Sequence, residues 1–370
     1  MQAPAPGPGP GPWHALPCAR SELRLDLVLS CGQAFRWRER SAGHWTGELG
    51  GRVWTLRQTE EQLWFTVHAG PDPDPEPDPG RILRDYFQLD VPLAPLYAAW
   101  AAADPRFQRA AAACPGVRVL RQDPLECLVA FICSANNRLP RIAAMLQRLC
   151  RAFGRRLARL GRQPYHAFPS LQALAGPGVE ARLRELGFGY RARFVSGAAR
   201  AVLQDLGAEG LARLRGAPYA EARRVLCSLP GVGAKVADCV CLMALDKPEA
   251  VPVDTHVWQV ARQRYGLEPG AAARSLTPRV YRETGDFFRR LWGPRAGWAQ
   301  AVSAGPLPCA GGALAPARLA SPRLASPRPF SPQVLFCAEV TRPRGALPCA
   351  SPSPKRGRAR RSRSSCLGPP

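Results

Sequence analysis

The chain has 370 residues, 40 of them proline and 34 glycine, with 46% hydrophobic residues and a formal charge of +23. The apolar share allows a sizeable core, but that much proline and glycine excludes one compact unit throughout. So basic a balance favours a polyanionic partner, nucleic acid being the commonest, over plain solubility. Thirteen scattered cysteines, without a CxxC pair or a secretory signal, point to reduced thiols inside the cell and argue against a structural zinc site or an iron–sulfur cluster. The most apolar run, CVCLMAL at 239–245, is far too short to span a bilayer, so no membrane is implied.

Residues 1–17 begin MQAPAPGPGPGP and are expected to be disordered, without the Arg-rich amphipathic character of a mitochondrial presequence. A β-rich domain is expected over 18–112. SELRLDLVLS alternates Leu23, Leu25, Leu27 and Leu29 with polar residues, which predicts a strand, and AFRWRE, HWTGEL, RVWTLR and QLWFTV continue an antiparallel meander with one covered face. PDPDPEPDPG (71–80) reads as a solvated acidic connector. The period then becomes helical in RILRDYFQL, LAPLYAAWAAA and PRFQRAAAAC.

An all-helical domain is expected over 113–303. DPLECLVAFICSANN opens with an Asp cap and Pro at the first helical position, and its apolar circumference predicts a buried central helix. Further helices are predicted near 140–153, 178–187, 191–206, 219–227, 235–245, 255–265 and 278–292. Residues 304–370 lose all periodicity. They carry eleven Lys/Arg against one acid, Glu339, and close on PKRGRARRSRSS, which reads as a nuclear-import signal or a nucleic-acid tail. The expected localisation is the nucleus, and a mitochondrial pool is compatible with it.

Within 223–245 the segment RRVLCSLPGVGAKVADCVCLMAL predicts a helix–hairpin–helix. Gly231 and Gly233 let backbone N–H groups approach an anion at a helix N-terminus, which suits a DNA phosphodiester. A P-loop is excluded because GxxxxGK[ST] is missing, and a purely structural corner remains open. Lys235 stands in the first turn, where the helix dipole opposes a cation; an amine held there is expected to have a lowered pKa, as a nucleophile needs. Cys239, four residues on, shares its face, as a partner thiol or as a small buried side chain. Asp254 in VPVDTH suits a helix cap, and equally a carboxylate that stabilises a cationic transition state. His256 reads as a phosphate contact or a surface histidine.

With these residues in place, LPGVGAKVADC followed by VPVDTH resembles the helix–hairpin–helix DNA glycosylases that use a catalytic Lys and Asp, and among them the 8-oxoguanine DNA glycosylases of mammalian type. SELRLDLVL, GQAFRWRE, VRVLRQDPLECLVAFIC, FPSLQALAGP, LGFGYRAR, CLMALDKPEAVPVD and FFRRLWGPRAGWAQAV extend the resemblance from about residue 18 to 302.

The resemblance implies an α+β fold: a small antiparallel sheet, similar to half of a TATA-binding-protein saddle, plus a helical body. It implies excision of 8-oxoguanine, and of formamidopyrimidine guanine, opposite cytosine in duplex DNA, with an associated lyase step and no metal or organic cofactor. Lys235 is then the nucleophile and Asp254 its partner. Gly32 accepts the N7–H that guanine lacks, and Cys239, Pro252 and Gln300 line the base pocket. Asn136 fills the vacated stack, Arg141 and Arg191 contact the orphaned cytosine, and Tyr190 is the wedge. The partner is double-stranded DNA holding oxidised guanine, the chain is monomeric, and an abasic-site endonuclease acts downstream.

After Val302 the resemblance ends. Ala304 stands where the family places a Phe over the base, and Gly305-Pro306 are expected to stop the helix. This suggests an alternative transcript or a mis-predicted last exon. The alternative expectation is therefore a DNA-damage-binding protein whose excision is impaired by a missing pocket wall.

Overall fold

The computed structural model describes residues 11–68, 78–267 and 275–303. Its first layer is a five-stranded antiparallel sheet of order β1-β5-β4-β3-β2. The strands are β1 (His14–Pro17), β2 (Arg38–Ser41), β3 (His44–Leu49), β4 (Arg52–Gln58) and β5 (Gln62–His68). Alternation in β4 and β5 sends Trp54, Leu56, Leu63 and Phe65 to the core face, and Val53 is buried on the opposite one. This core is completed by α1 (Leu25–Val28) and α2 (Pro79–Tyr86), through Leu25, Val28, Leu83 and Phe87 at its end.

Two expectations about the N-terminal part are corrected. SELRLDLVLS is not a strand: Leu25–Val28 is the helix α1, whose Arg24 N–H donates to the Gly116 carbonyl. Its leucines satisfy both periods, and within the helix and its C-cap the buried residues, Leu25, Val28 and Leu29, follow the i, i+3, i+4 spacing of a helix, with Leu23 buried just before it. The expected disorder of 1–17 also fails at its end, because His14–Pro17 completes the sheet by pairing with β5, placing Leu16 in the core. Residues 1–10 and the acidic connector at 69–77 lie outside the described residues.

The helical layer follows in chain order. It comprises α3 (Leu93–Ala103), α4 (Pro105–Ala113), α5 (Pro124–Ser134) and α6 (Leu139–Phe153). After the hairpin of β6 (Arg156–Leu160) and β7 (Gln163–His166), which no periodicity announced, come α7 (Leu171–Ala175), α8 (Val179–Glu185) and α9 (Arg191–Ala201). The chain goes on through α10 (Gly210–Arg213), α11 (Tyr219–Ser228), α12 (Ala234–Ala244), α13 (Thr255–Tyr265), α14 (Pro278–Trp292) and α15 (Ala296–Ser303). Asp123 caps α5 as expected, accepting from Glu126 N–H, and α5 packs against α6, α9, α10 and α12 at the centre of the body. Helices α3 and α4 bury Leu93, Trp100 and Phe107 in this helical core rather than beneath the sheet. The basic tail at 304–370 lies outside the described residues.

One guanidinium pins the two layers together. Arg36 Nη1 donates to Glu48 of β3 and, at 2.7 Å, to Glu126 of α5, while Nη2 donates to the His166 carbonyl of β7. A single cation serves two carboxylates here, and burial pushes Glu126 up to about 7 against the pull of Arg36. Between the ordinary value of 4.5 and about 7 the folded chain keeps a proton that the unfolded chain has lost, so this seam stabilises less as pH rises through that window. Glu126→Gln is expected to flatten part of the fall in unfolding free energy between about pH 5 and 8, measured by urea titration at several pH values. An unchanged slope would refute that assignment.

Candidate active site

The hairpin between α11 and α12 gives its two glycines different work. Gly231 has φ +79°, the left-handed region, and a Cβ there would lie 2.5 Å from the Phe194 side chain of α9. It is required by the fold. Gly233 caps α12 with φ −93°, and nothing lies within 4 Å of where its Cβ would stand. Both are exposed, with Val232 buried between them and its N–H donating to the Leu229 carbonyl, and the first N–H groups of α12 have no partner within the helix.

Helix α12 is covered on all sides from Val236 to Ala244; only its first turn reaches the surface. Lys235 stands in that turn, half-buried, with Nζ 5.2 Å from the centroid of the Phe131 ring of α5. An aromatic face under an ammonium attracts it through the ring quadrupole and lowers the cost of its partial burial. Cys239, one turn deeper, is fully covered.

Asp254 caps α13, accepting from Val257 N–H at 2.9 Å, and is 8% exposed. The cap reading of this residue therefore holds. Pro252 and Val253 before it are buried, and His256 sits half-buried on the first turn of α13. Gln300 of α15 is 2% exposed and neither end of its amide has a hydrogen-bond partner. It borders a small cavity with Val257 and Ser303. An unpaired buried amide is costly, and a ligand edge offering complementary groups relieves that cost.

A second cluster forms where α5 ends. Asn136 adopts φ +48° and is exposed, and Arg191 Nη2 donates to the carbonyls of Ala135 and Asn136. Tyr190 is 47% exposed, with its hydroxyl 3.3 Å from the Ala135 carbonyl and its ring stacked 4.5 Å from the Arg191 guanidinium. Asn136, Tyr190 and Arg191 are thus brought together, and Arg141 lies exposed on α6, which starts three residues beyond Asn136.

Gly32, with φ +86°, is buried in the turn leading to the sheet. Its link to α12 runs through residues that the sequence reading passed over. The fully buried Gln33 donates from Nε2 to the Arg118 carbonyl and accepts from Leu120 N–H. Gln122 Nε2 in turn donates to the Gln33 carbonyl, and Gln122 N–H donates to the Met243 carbonyl of α12.

Asp238 was also missed. It is 1% exposed on α12 and accepts from Tyr219 Oη at 2.8 Å, Arg223 Nε at 2.9 Å and Tyr281 Oη. Burial pushes its carboxyl up, and the three donors oppose that. A lone acid inside AKVADCVCLMAL was the available signal.

The fold is that of the helix–hairpin–helix repair proteins: residues 129–279 match the HhH-GPD superfamily of base excision DNA repair proteins. Residues 15–128 match the 8-oxoguanine DNA glycosylase N-terminal domain. The N-glycosylase/DNA lyase OGG1 of Arabidopsis thaliana is 38% identical over 294 residues, covering 78% of this chain and 79% of the relative. The N-glycosylase/DNA lyase of Saccharomyces cerevisiae is 35% identical over 313 residues, with 76% and 83% covered. Among solved structures, MBOgg1 in complex with a low affinity DNA ligand superposes with a TM-score of 0.69 at 28% identity, covering 79% of this chain and 94% of that one. The Clostridium acetobutylicum 8-oxoguanine glycosylase/lyase, bound to double-stranded DNA containing cytosine opposite 8-oxoG, gives 0.65 at 26% identity, with 76% and 90% covered. The chain belongs to the 8-oxoguanine DNA glycosylase family.

The two glycines separate folding from binding. Gly231→Ala should cost about 1–3 kcal/mol of stability through backbone strain and the Phe194 clash. Gly233→Ala should stay within about 1 kcal/mol yet weaken duplex binding several-fold, because only an approaching backbone meets the new methyl. Thermal melts and fluorescence anisotropy check both, and matched melting temperatures for the two variants would sink the distinction.

Proposed function

We propose that this chain is a base-excision DNA glycosylase with lyase activity, acting on 8-oxoguanine, and on formamidopyrimidine guanine, opposite cytosine in duplex DNA. The observation that carries it is Lys235, on the first turn of the helix that the hairpin launches, in a chain 38% identical to an N-glycosylase/DNA lyase. The base must leave the stack to be reached, because its glycosidic bond is inaccessible inside a duplex. Gly231 and Gly233 hold the backbone through their N–H groups, with His256 on a neighbouring phosphate. Asn136, Arg141, Tyr190 and Arg191 occupy the opposite strand's side of the lesion.

The lysine amine, as free base, attacks C1′ as the C1′–N9 bond breaks and the base departs with a proton. The sugar ring opens to a Schiff base between Nζ and C1′, loss of a C2′ proton expels the 3′ phosphate, and water releases the lysine. Asp254, as a carboxylate, stabilises the cationic sugar and takes up the proton from Nζ. Gly32 selects the oxidised base through its carbonyl, which stays buried and unpaired against plain guanine. Cys239, Pro252 and Gln300 close around the base.

A second reading, binding with impaired excision, is favoured by Ala304 in place of the expected aromatic wall. A lost base–aromatic stack costs about 1–3 kcal/mol. The working form is a monomer, the cluster from Lys355 to Arg363 serves nuclear import, and the nicked product passes to an abasic-site endonuclease.

Borohydride trapping on an 8-oxoguanine·cytosine duplex tests the assignment. The chain should give a covalent adduct and a nicked strand, and Lys235→Gln should give neither while still binding. An adduct that survives Lys235→Gln would overturn the nucleophile. Retained binding to abasic DNA without trapping by the unmodified chain would select the impaired reading.

A further inference from the structure

Tyr281 lies on the first turn of α14, outside every motif that the functional reading uses. Its ring is buried at 8% exposure, and its hydroxyl joins two elements of the candidate site. On one side it donates to Asp238 Oδ2, three residues after Lys235 on α12. On the other it accepts from the backbone N–H of Val253, at 3.3 Å, one residue before Asp254.

A phenol has a single proton to give. The buried carboxylate of Asp238 claims it, so toward Val253 the hydroxyl oxygen offers only lone pairs, which is what a backbone N–H needs. Asp238 thus sets the polarity of the bridge. The carboxylate is itself held by Tyr219 and Arg223 from α11, so its position belongs to the hairpin. Val253 is fully buried, and without Tyr281 its N–H would face the core without this acceptor.

We infer that Tyr281 is a positioning residue for excision: its hydroxyl, oriented by Asp238, fixes the peptide that carries Asp254 relative to the helix that carries Lys235. The inference rests on the catalytic reading of that pair. Misplacing a catalytic group by a fraction of an ångström to one ångström lowers rate while leaving substrate binding intact. Tyr219 supplies the control. Its hydroxyl donates to the same carboxylate, yet makes no contact with Val253 among the hydrogen bonds described.

The test uses the full chain and its Tyr281→Phe, Tyr219→Phe and Lys235→Gln variants. Single-turnover excision at saturating enzyme should slow at least about tenfold in Tyr281→Phe and stay within about twofold in Tyr219→Phe. Binding to a duplex carrying a tetrahydrofuran abasic analogue should change less than about twofold in both. With selective 15N-valine labelling, the Val253 amide should exchange slowly in the unmodified chain and in Tyr219→Phe, and faster in Tyr281→Phe.

Equal slowing by the two phenylalanine variants would mean that the phenols act only by satisfying Asp238, and no slowing would mean that the bridge is idle; either result overturns the inference. If Tyr281→Phe does not fold, an unprotected Val253 amide in the unmodified chain overturns it. If the unmodified chain excises nothing, the catalytic reading fails by itself, and the exchange data then decide whether the bridge exists.

Discussion

One buried amide, Gln33, determines where the sheet meets the helical body. Its side chain copies a strand edge: it gives a hydrogen bond to the Arg118 carbonyl and takes one from Leu120 N–H. The segment at 117–122 has no regular partner of its own, so these bonds and the five that Arg118 donates to Glu22, Phe87, Gln88 and Val91 replace a missing ladder. From there Gln122 ties to both Gln33 and Met243. Gly32 and Lys235 are 203 positions apart in sequence and belong to different layers. Their relation passes through this short polar seam, and a buried polar seam is sound only when every member is satisfied.

The site is assembled by the same economy of means. Buried charges here are met by shared partners: Asp238 accepts from three donors, and Glu48 and Glu126 share Arg36. Such groups define a unique arrangement more than they add stability, since removing one partner strands the other. Gln300 differs from these charged groups: it is a buried amide with neither end paired. It is also the residue that the proposed function sets against a base edge, and a recognition group has to keep its valences for the ligand.

Much of the site could be read from residue types at fixed spacing. Asp123-Pro124, Thr277-Pro278 and Asp254 each announce a helix start, and PGVG between two apolar helices announces the hairpin; these depend on chemistry within four residues. What escaped depends on contacts far along the chain. SELRLDLVLS fits two periods equally, and only the packing of Leu25, Val28 and Leu29 beneath the sheet chooses the helix. HALP is too short and too proline-flanked to declare itself, and becomes a strand because β5 offers an open edge. Tyr281 and Asp238 meet 43 residues apart, and nothing local marks either as the other's partner.

The burial of α12 has a mechanical consequence. Nine consecutive residues of this helix, from Val236 to Ala244, have no face toward water, so the segment cannot fray or shift without opening the centre of the protein. Lys235 is the tip of a rod set in that centre. Local breathing can loosen the clusters around Tyr190 and Asn136, which lie at the surface, but it does not reach the lysine's backbone. Heating should therefore free the Lys235 backbone only at the temperature where the whole body melts, whereas the surface cluster around Tyr190 and Asn136 can soften earlier.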